Sequence, residues 1–220
     1  MLFMRSAGAV EDLTARARIR DAAVRRFAVD GFGVPVRALA VDAGVSPALV
    51  IHHFGSKDAL IAACDEHVLA IIRDAERTSV LGAAPADLLT QLATVERYAP
   101  AAGYVVQALL AGGELATAFL DSLVADAEQY LADAVQAGTI RPSRDPAARA
   151  RYLVDLGIGV LLVHLRRHPP QDGDLATALR HYADTTTLPA LELYTEGLLT
   201  DPGLLDTYLA ARGEPPAPAA

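Results

Sequence analysis

Tryptophan is absent from this 220-residue chain, and there is a single cysteine, Cys64. One cysteine excludes an internal disulfide and a cysteine-built metal cluster. It also suits a reducing compartment, so a cytoplasmic setting is expected. Aromatic residues are scarce, at 5 %, so a core must be packed mainly from Ala, Leu and Val, as in close-set helices. Long apolar runs are missing as well. The uncharged apolar run Leu156 to Val163 falls far short of the roughly 20 residues that cross a bilayer, and no membrane partner is expected. The opening MLFMRSAGAV lacks the apolar stretch of a secretory leader. Glycine-rich phosphate loops, HExxH and GxSxG patterns are also wanting. No catalytic residues, no cofactor and no metal site are therefore expected.

Net charge is −8, which taken alone argues against a polyanionic partner. Its distribution argues otherwise. Residues 1–60 carry eight Arg/Lys against six Asp/Glu, whereas residues 61–220 carry eleven against twenty-one. A basic head and an acidic remainder imply two tasks, and the acidic section would repel DNA and orient the head toward it.

Apolar residues recur at helical spacing, and no segment alternates like a strand between hairpin turns. The fold class is all-α. A first helix is expected from about Thr14 to Asp30, after a flexible lead-in, with Ile19, Ala22, Ala23 and Phe27 as its apolar stripe and Gly31 as its stop. Further helices are expected at about 36–43, 47–53 and 57–79. Ala83-Ala84-Pro85 is read as a break, then Tyr98-Ala99-Pro100. A long helix at 114–137 follows Gly112-Gly113. Another is opened by Asp145-Pro146 and ends before Pro169-Pro170. A last long helix is capped by Asp174 and kinked by Pro189, and Asp201-Pro202 opens a short one. The expected domains are a small basic head at 1–56, a larger helical body at 57–212, and a disordered tail at 213–220.

The stretch VRALAVDAGVSPALVIHHFGSKD, residues 36–58, is the most informative. It reads as helix, glycine turn, short helix and the start of another, the arrangement that places a helix in the DNA major groove. Ala40 is small where two helices cross. Gly44 takes the tight turn. Ser46 caps the second helix and Pro47 suits its first position. Ser46, Pro47, Ala48 and Leu49 lie at the leading end, where base edges are met, and Ala48 or Leu49 suits a thymine methyl group. His52 and His53 follow. Either one donates to a phosphate, or His53 only packs and caps the helix end. Lys57 lies at a helix N-terminus suited to phosphate. Arg37, Arg16 and Arg18 are further phosphate candidates, whereas Arg20 and Arg25 read as solvated.

These residues carry a resemblance. Ala43-Gly44-Val45-Ser46 and His53-Phe54-Gly55-Ser56-Lys57-Asp58-Ala59-Leu60 resemble the DNA-binding signature of the TetR/AcrR repressors, and the likeness extends upstream through Ala15 to Phe32. The chain departs from the family pattern at two places. Val34-Pro35 stand where a hydroxyl residue is common, and Ile51 stands where Tyr is common; both changes remove phosphate donors. The second helix also lacks Arg, Asn and Gln, so readout is expected to lean on apolar contacts, water and DNA shape. The segments VSPALVIHHFGSKDAL, GGELA, AGTIRPSRDPAARAR and LPALELYTEGLL resemble an actinobacterial branch associated with ABC-type drug-efflux genes.

The resemblance implies a homodimer on palindromic operator DNA, released by a small amphipathic or apolar effector held in the body. Tyr98, Tyr104, Gln107, Phe119, Asp155 and His164 are the polar and aromatic candidates for that pocket, although each also reads as an ordinary core or surface residue. Asp155 would inform on the ligand only if it faces the interior rather than solvent or Arg151. Gly157 and Gly159 would let a second helix approach, and Leu188, Leu191, Leu193 and Leu198 supply apolar surface for a four-helix dimer interface. Cys64 reads as a buried small hydrophobe. A helical carrier or enzyme indifferent to DNA, and an activator in place of a repressor, are the alternatives.

Overall fold

The computed structural model describes residues 4–81 and 85–215, and side-chain surroundings for residues 14–79, 89–114 and 116–215. Among these there are ten α-helices and no strand. They are α1 (Met4–Asp30), α2 (Val36–Asp42), α3 (Pro47–Phe54), α4 (Lys57–Leu81), α5 (Pro85–Ala93), α6 (Ala99–Ala111), α7 (Gly113–Gln136), α8 (Pro146–Arg167), α9 (Leu175–Thr195) and α10 (Gly203–Ala211). A short 3-10 turn, Val95–Tyr98, precedes α6.

Local chemistry sets the helix starts. Asp145 Oδ1 accepts the Ala148 N–H at 2.9 Å ahead of Pro146. Asp174 Oδ1 accepts the Thr177 N–H at 3.0 Å. Asp201 Oδ1 takes the Gly203 N–H at 2.8 Å. One expectation is corrected. The first helix begins at Met4, so the lead-in is helical rather than flexible. The fourth ends at Leu81, close to its expected end, and the ninth carries Pro189 within it and ends at Thr195. The break read at Ala83-Ala84 and most of the tail fall outside the described residues.

The chain divides into two compact units, Met1–Tyr182 and Ala183–Ala220. In the first, one core runs through both the head and the body. It joins Ile19, Phe27, Leu39, Val50, Phe54, Leu60, Cys64, Val68, Tyr104, Phe119 and Leu123, so packing does not stop at residue 56. At Gly103, α6 comes close to α1. A Cβ there would lie 2.6 Å from Leu175 Cδ1 and 3.0 Å from the Ala28 Cβ and carbonyl, and glycine is the residue that permits it. Arg73 and Arg77 on α4 pair with Asp126 and Asp133 on α7 at 3.3 and 3.2 Å. A smaller cluster of Ala127, Leu131 and Ala150, backed by Tyr130, Ile140 and Leu153, joins α7 to α8. In the second unit Leu209 is buried, and its carbonyl accepts the Glu214 N–H at 2.9 Å.

Candidate nucleic-acid interface

The head presents α3 as the sequence pattern requires. Gly44 takes a φ of +64°, a left-handed conformation that a side chain would strain. Ser46 Oγ accepts the Leu49 N–H at 3.2 Å, capping α3 ahead of Pro47. Val50 and Phe54 are buried and fix the inner face of the helix. Ser46, Pro47, Ala48, Ile51 and His52 are exposed, and Leu49 and His53 are half-buried. The rings of His52 and His53 meet edge-on at 5.5 Å, and His53 also lies 6.5 Å from Phe54. No Lys or Arg stands on α3 itself.

Cations stand on the neighbouring helices α1 and α2 instead. Arg16, Arg18 and Arg37 are exposed, and the Arg16 guanidinium lies 4.8 Å from the centre of the Phe54 ring. Stacking on Phe54 holds Arg16 beside the end of α3 while leaving its donors outward. Pro35 precedes α2 with no side-chain cap, in keeping with the missing hydroxyl residue. Ser56 Oγ accepts the Ala59 N–H at 3.1 Å and so caps α4. Other head arginines are committed internally: Arg20 to Asp21 at 2.8 Å, and Arg26 to Asp30 and Asp42.

Lys57 has a duty that the sequence did not reveal. Its ammonium donates to the carbonyl of Phe32, tying the turn after α1 to the start of α4. An ammonium has three donors, so phosphate contact stays open, but Lys57 is first a structural tie.

The six pocket candidates do not converge on one cavity. Tyr104 is fully buried among Phe27, Phe32 and Phe119, its ring 6.4, 5.2 and 6.2 Å from theirs. Its hydroxyl donates to Asp65 Oδ1 at 2.7 Å and lies 3.3 Å from the Ile61 carbonyl. Burial, then the hydrogen bond to Asp65, pushes the Tyr104 phenol well above its ordinary range. Burial raises the Asp65 carboxyl, and the Tyr104 hydrogen bond partly offsets that rise. Tyr104 and Phe119 are thus core residues. Tyr98 pairs with the Arg97 guanidinium beside it. Asp155 is exposed on α8, and by its own criterion it says nothing of a ligand. Gln107 alone borders a cleft, of about 190 Å³, with Val29, Val106, Leu165 and Leu175 among its walls. Its amide also donates to the Val29 carbonyl at 3.4 Å.

His164 stands elsewhere, in a group that the sequence reading missed. Its ring lies 4.9 Å from those of His168 and His181 and 5.4 Å from that of Tyr182. Burial, then the charges of His168 and His181, hold it below the ordinary histidine value. The four-residue spacing of His164 and His168 was the available signal; their meeting with His181 was not legible. Cys64 is buried as expected, and burial, then the Asp65 charge, pushes its thiol up to about 12. No described atom lies within 4 Å of a Cβ added at Gly157 or Gly159, so neither serves a close approach among the described residues. No helix among the described residues is long and apolar enough to cross a membrane.

Comparison with known proteins agrees with this geometry. A family model described as bacterial regulatory proteins, tetR family, matches residues 19–64. A second, described as tetracyclin repressor-like, C-terminal domain, matches residues 96–200. The HTH-type transcriptional regulatory protein RaaS of Mycobacterium tuberculosis is 49 % identical over 207 residues, covering 94 % of this chain and 95 % of that protein. Among solved structures, a Rhodococcus sp. chain assigned to TetR-family transcriptional regulators superposes with a TM-score of 0.56 at 21 % identity, over 77 % of this chain and 96 % of its own. Salmonella enterica GusR superposes with a TM-score of 0.50 at 24 % identity, over 80 % and 96 %. These two likenesses bear on the fold.

Proposed function

Because the chain belongs to the tetR family of bacterial regulatory proteins, and is a transcriptional regulator rather than an enzyme, we propose that it is a cytoplasmic, effector-released repressor acting as a homodimer. The observation that carries this is the head: α3, capped at Ser46 and anchored by Val50 and Phe54, with its leading residues exposed and exposed arginines on α1 and α2. Residues 1–56 meet DNA. Ser46, Pro47, Ala48 and Leu49 face base edges, while Arg16, Arg18 and Arg37, with His52, His53 and Lys57, serve phosphates.

Exposed apolar side chains support dimerisation through the body at 57–212. Tyr152, Val160 and Val163 lie on α8, and Leu188, Leu191 and Leu193 lie on α9. Open space at Gly157 and Gly159 suits the approach of a partner helix. The effector acts in the body. The cleft at Gln107 is walled by α1 and α6, with Leu165 of α8 and Leu175 at the start of α9, but drug-sized ligands occupy about 300–1,000 Å³. Such a molecule must therefore open the cleft, moving α6 against the helix that carries Arg16 and Arg18. That differential fit is what would release DNA. Control of an ABC-type exporter is supported by the resemblance of the branch segments.

The test is to recover and sequence the genomic fragments that the full chain retains, then to measure affinity for one of them with and without a panel of amphipathic and apolar compounds. Retention of a palindromic site that a compound releases is expected. Equal retention of all fragments would end the operator reading, and a transcription reporter that falls on deletion of the protein would make it an activator.

A further inference from the structure

Three imidazoles meet where α8 ends and α9 begins. His164 lies in the last turn of α8, and His168, four residues on, is the residue that follows the helix. His181 comes from α9. His181 Nδ1 lies 3.1 Å from His164 Nε2. One ring nitrogen from each of the three lies within 4.8 Å of the others, and no other such trio of His, Cys, Asp or Glu gathers among the described residues. The ring of His168 lies 4.7 Å from that of His181. His164 is buried, whereas His168 and His181 are exposed.

We propose that His164, His168 and His181 bind one divalent transition-metal ion of the zinc and copper class, with a fourth position open to water. Zinc–nitrogen bonds of about 2.0–2.1 Å in a tetrahedron set ligand nitrogens roughly 3.3–3.4 Å apart. The His164–His181 pair already stands near that separation. His168 caps α8 from an exposed position, so rotation of its side chain closes the remaining gap. Three imidazoles without a thiolate or a carboxylate suit zinc, copper or nickel and not calcium or magnesium. The neutral imidazole ring is the form that ligates. An ion here would cross-link α8 to α9 and stabilise the folded chain. This site does not depend on the regulator reading.

The test uses the untagged full chain after treatment with a chelator, titrated calorimetrically with zinc chloride at about pH 7.5, where imidazole is neutral. Cobalt(II) is the spectroscopic probe. One zinc per chain and a visible tetrahedral cobalt band are expected. Because His168 is exposed, His168→Ala should keep its far-ultraviolet circular dichroism while binding zinc at least about tenfold more weakly. His181→Gln should do the same, and His52→Ala should bind like wild type. Failure of the wild type to bind zinc, or wild-type affinity in both His168→Ala and His181→Gln, would overturn the site.

Discussion

Removing the Tyr104 hydroxyl should destabilise the protein by an amount that grows with pH. Tyr104→Phe keeps the ring among Phe27, Phe32 and Phe119, so packing is preserved. What is lost is the 2.7 Å hydrogen bond from its hydroxyl to the half-buried Asp65. A bond to a charged acceptor contributes about 1.5–3 kcal/mol, and a neutral one about 0.5–1.5 kcal/mol. Water can reach Asp65 in part, so a loss of about 1.5–2 kcal/mol is expected with the carboxylate ionised. The sign follows from the raised value of Asp65. A carboxyl that is harder to ionise in the folded state binds its proton more tightly there than in the unfolded chain. Its contribution to stability therefore falls as pH rises from the ordinary value of 3.8 through the raised one. Deleting the hydroxyl raises that value further and deepens the fall. Urea unfolding of both proteins at one fixed protein concentration, from about pH 4 to 8, reads this out. In an Asp65→Asn background, whose amide oxygen still accepts from Tyr104, the loss should drop to about 0.5–1 kcal/mol at every pH. A pH-independent loss in the wild-type background, or none at all, would refute the role assigned to the pair.

Arg37→Ala should weaken binding to all DNA sequences alike and reduce the slope of log affinity against log salt by about one; an unchanged slope would remove Arg37 from the phosphate contacts. Lys57→Ala should do this and also lower the urea midpoint, because the Phe32 carbonyl loses its donor; stability equal to wild type would contradict the tie. Leu191→Arg should give monomers in sedimentation and poor operator affinity, since an interface would bury an unpaired charge; an intact dimer would sink that assignment. Cys64, with its thiol pushed from 9.0 to about 12, has about a thousandfold less thiolate than an ordinary cysteine. Alkylation should be negligible in the native protein and should follow unfolding in urea; prompt native labelling would show the site open.

The fold class and the head were legible because their signals are short-range. A serine three residues before the amide that it caps, a proline at a first helical position and a glycine at a turn act within one turn of chain. Apolar spacing then marks the inner face, as Val50 and Phe54 do on α3. What distant segments do to one another was not legible. Tyr104 reads as a pocket residue until α4 brings Asp65 to its hydroxyl from 39 positions away. Lys57 reads as a phosphate ligand until its ammonium reaches Phe32, 25 positions earlier. The four-residue spacing of His164 and His168 is ordinary on any helix, and only the return of α9 adds His181. Sequence determines which residues a helix can present. Tertiary packing decides which of them meet, because a side chain's partner, burial and charge are set by whichever neighbour the fold places within a few ångströms of it.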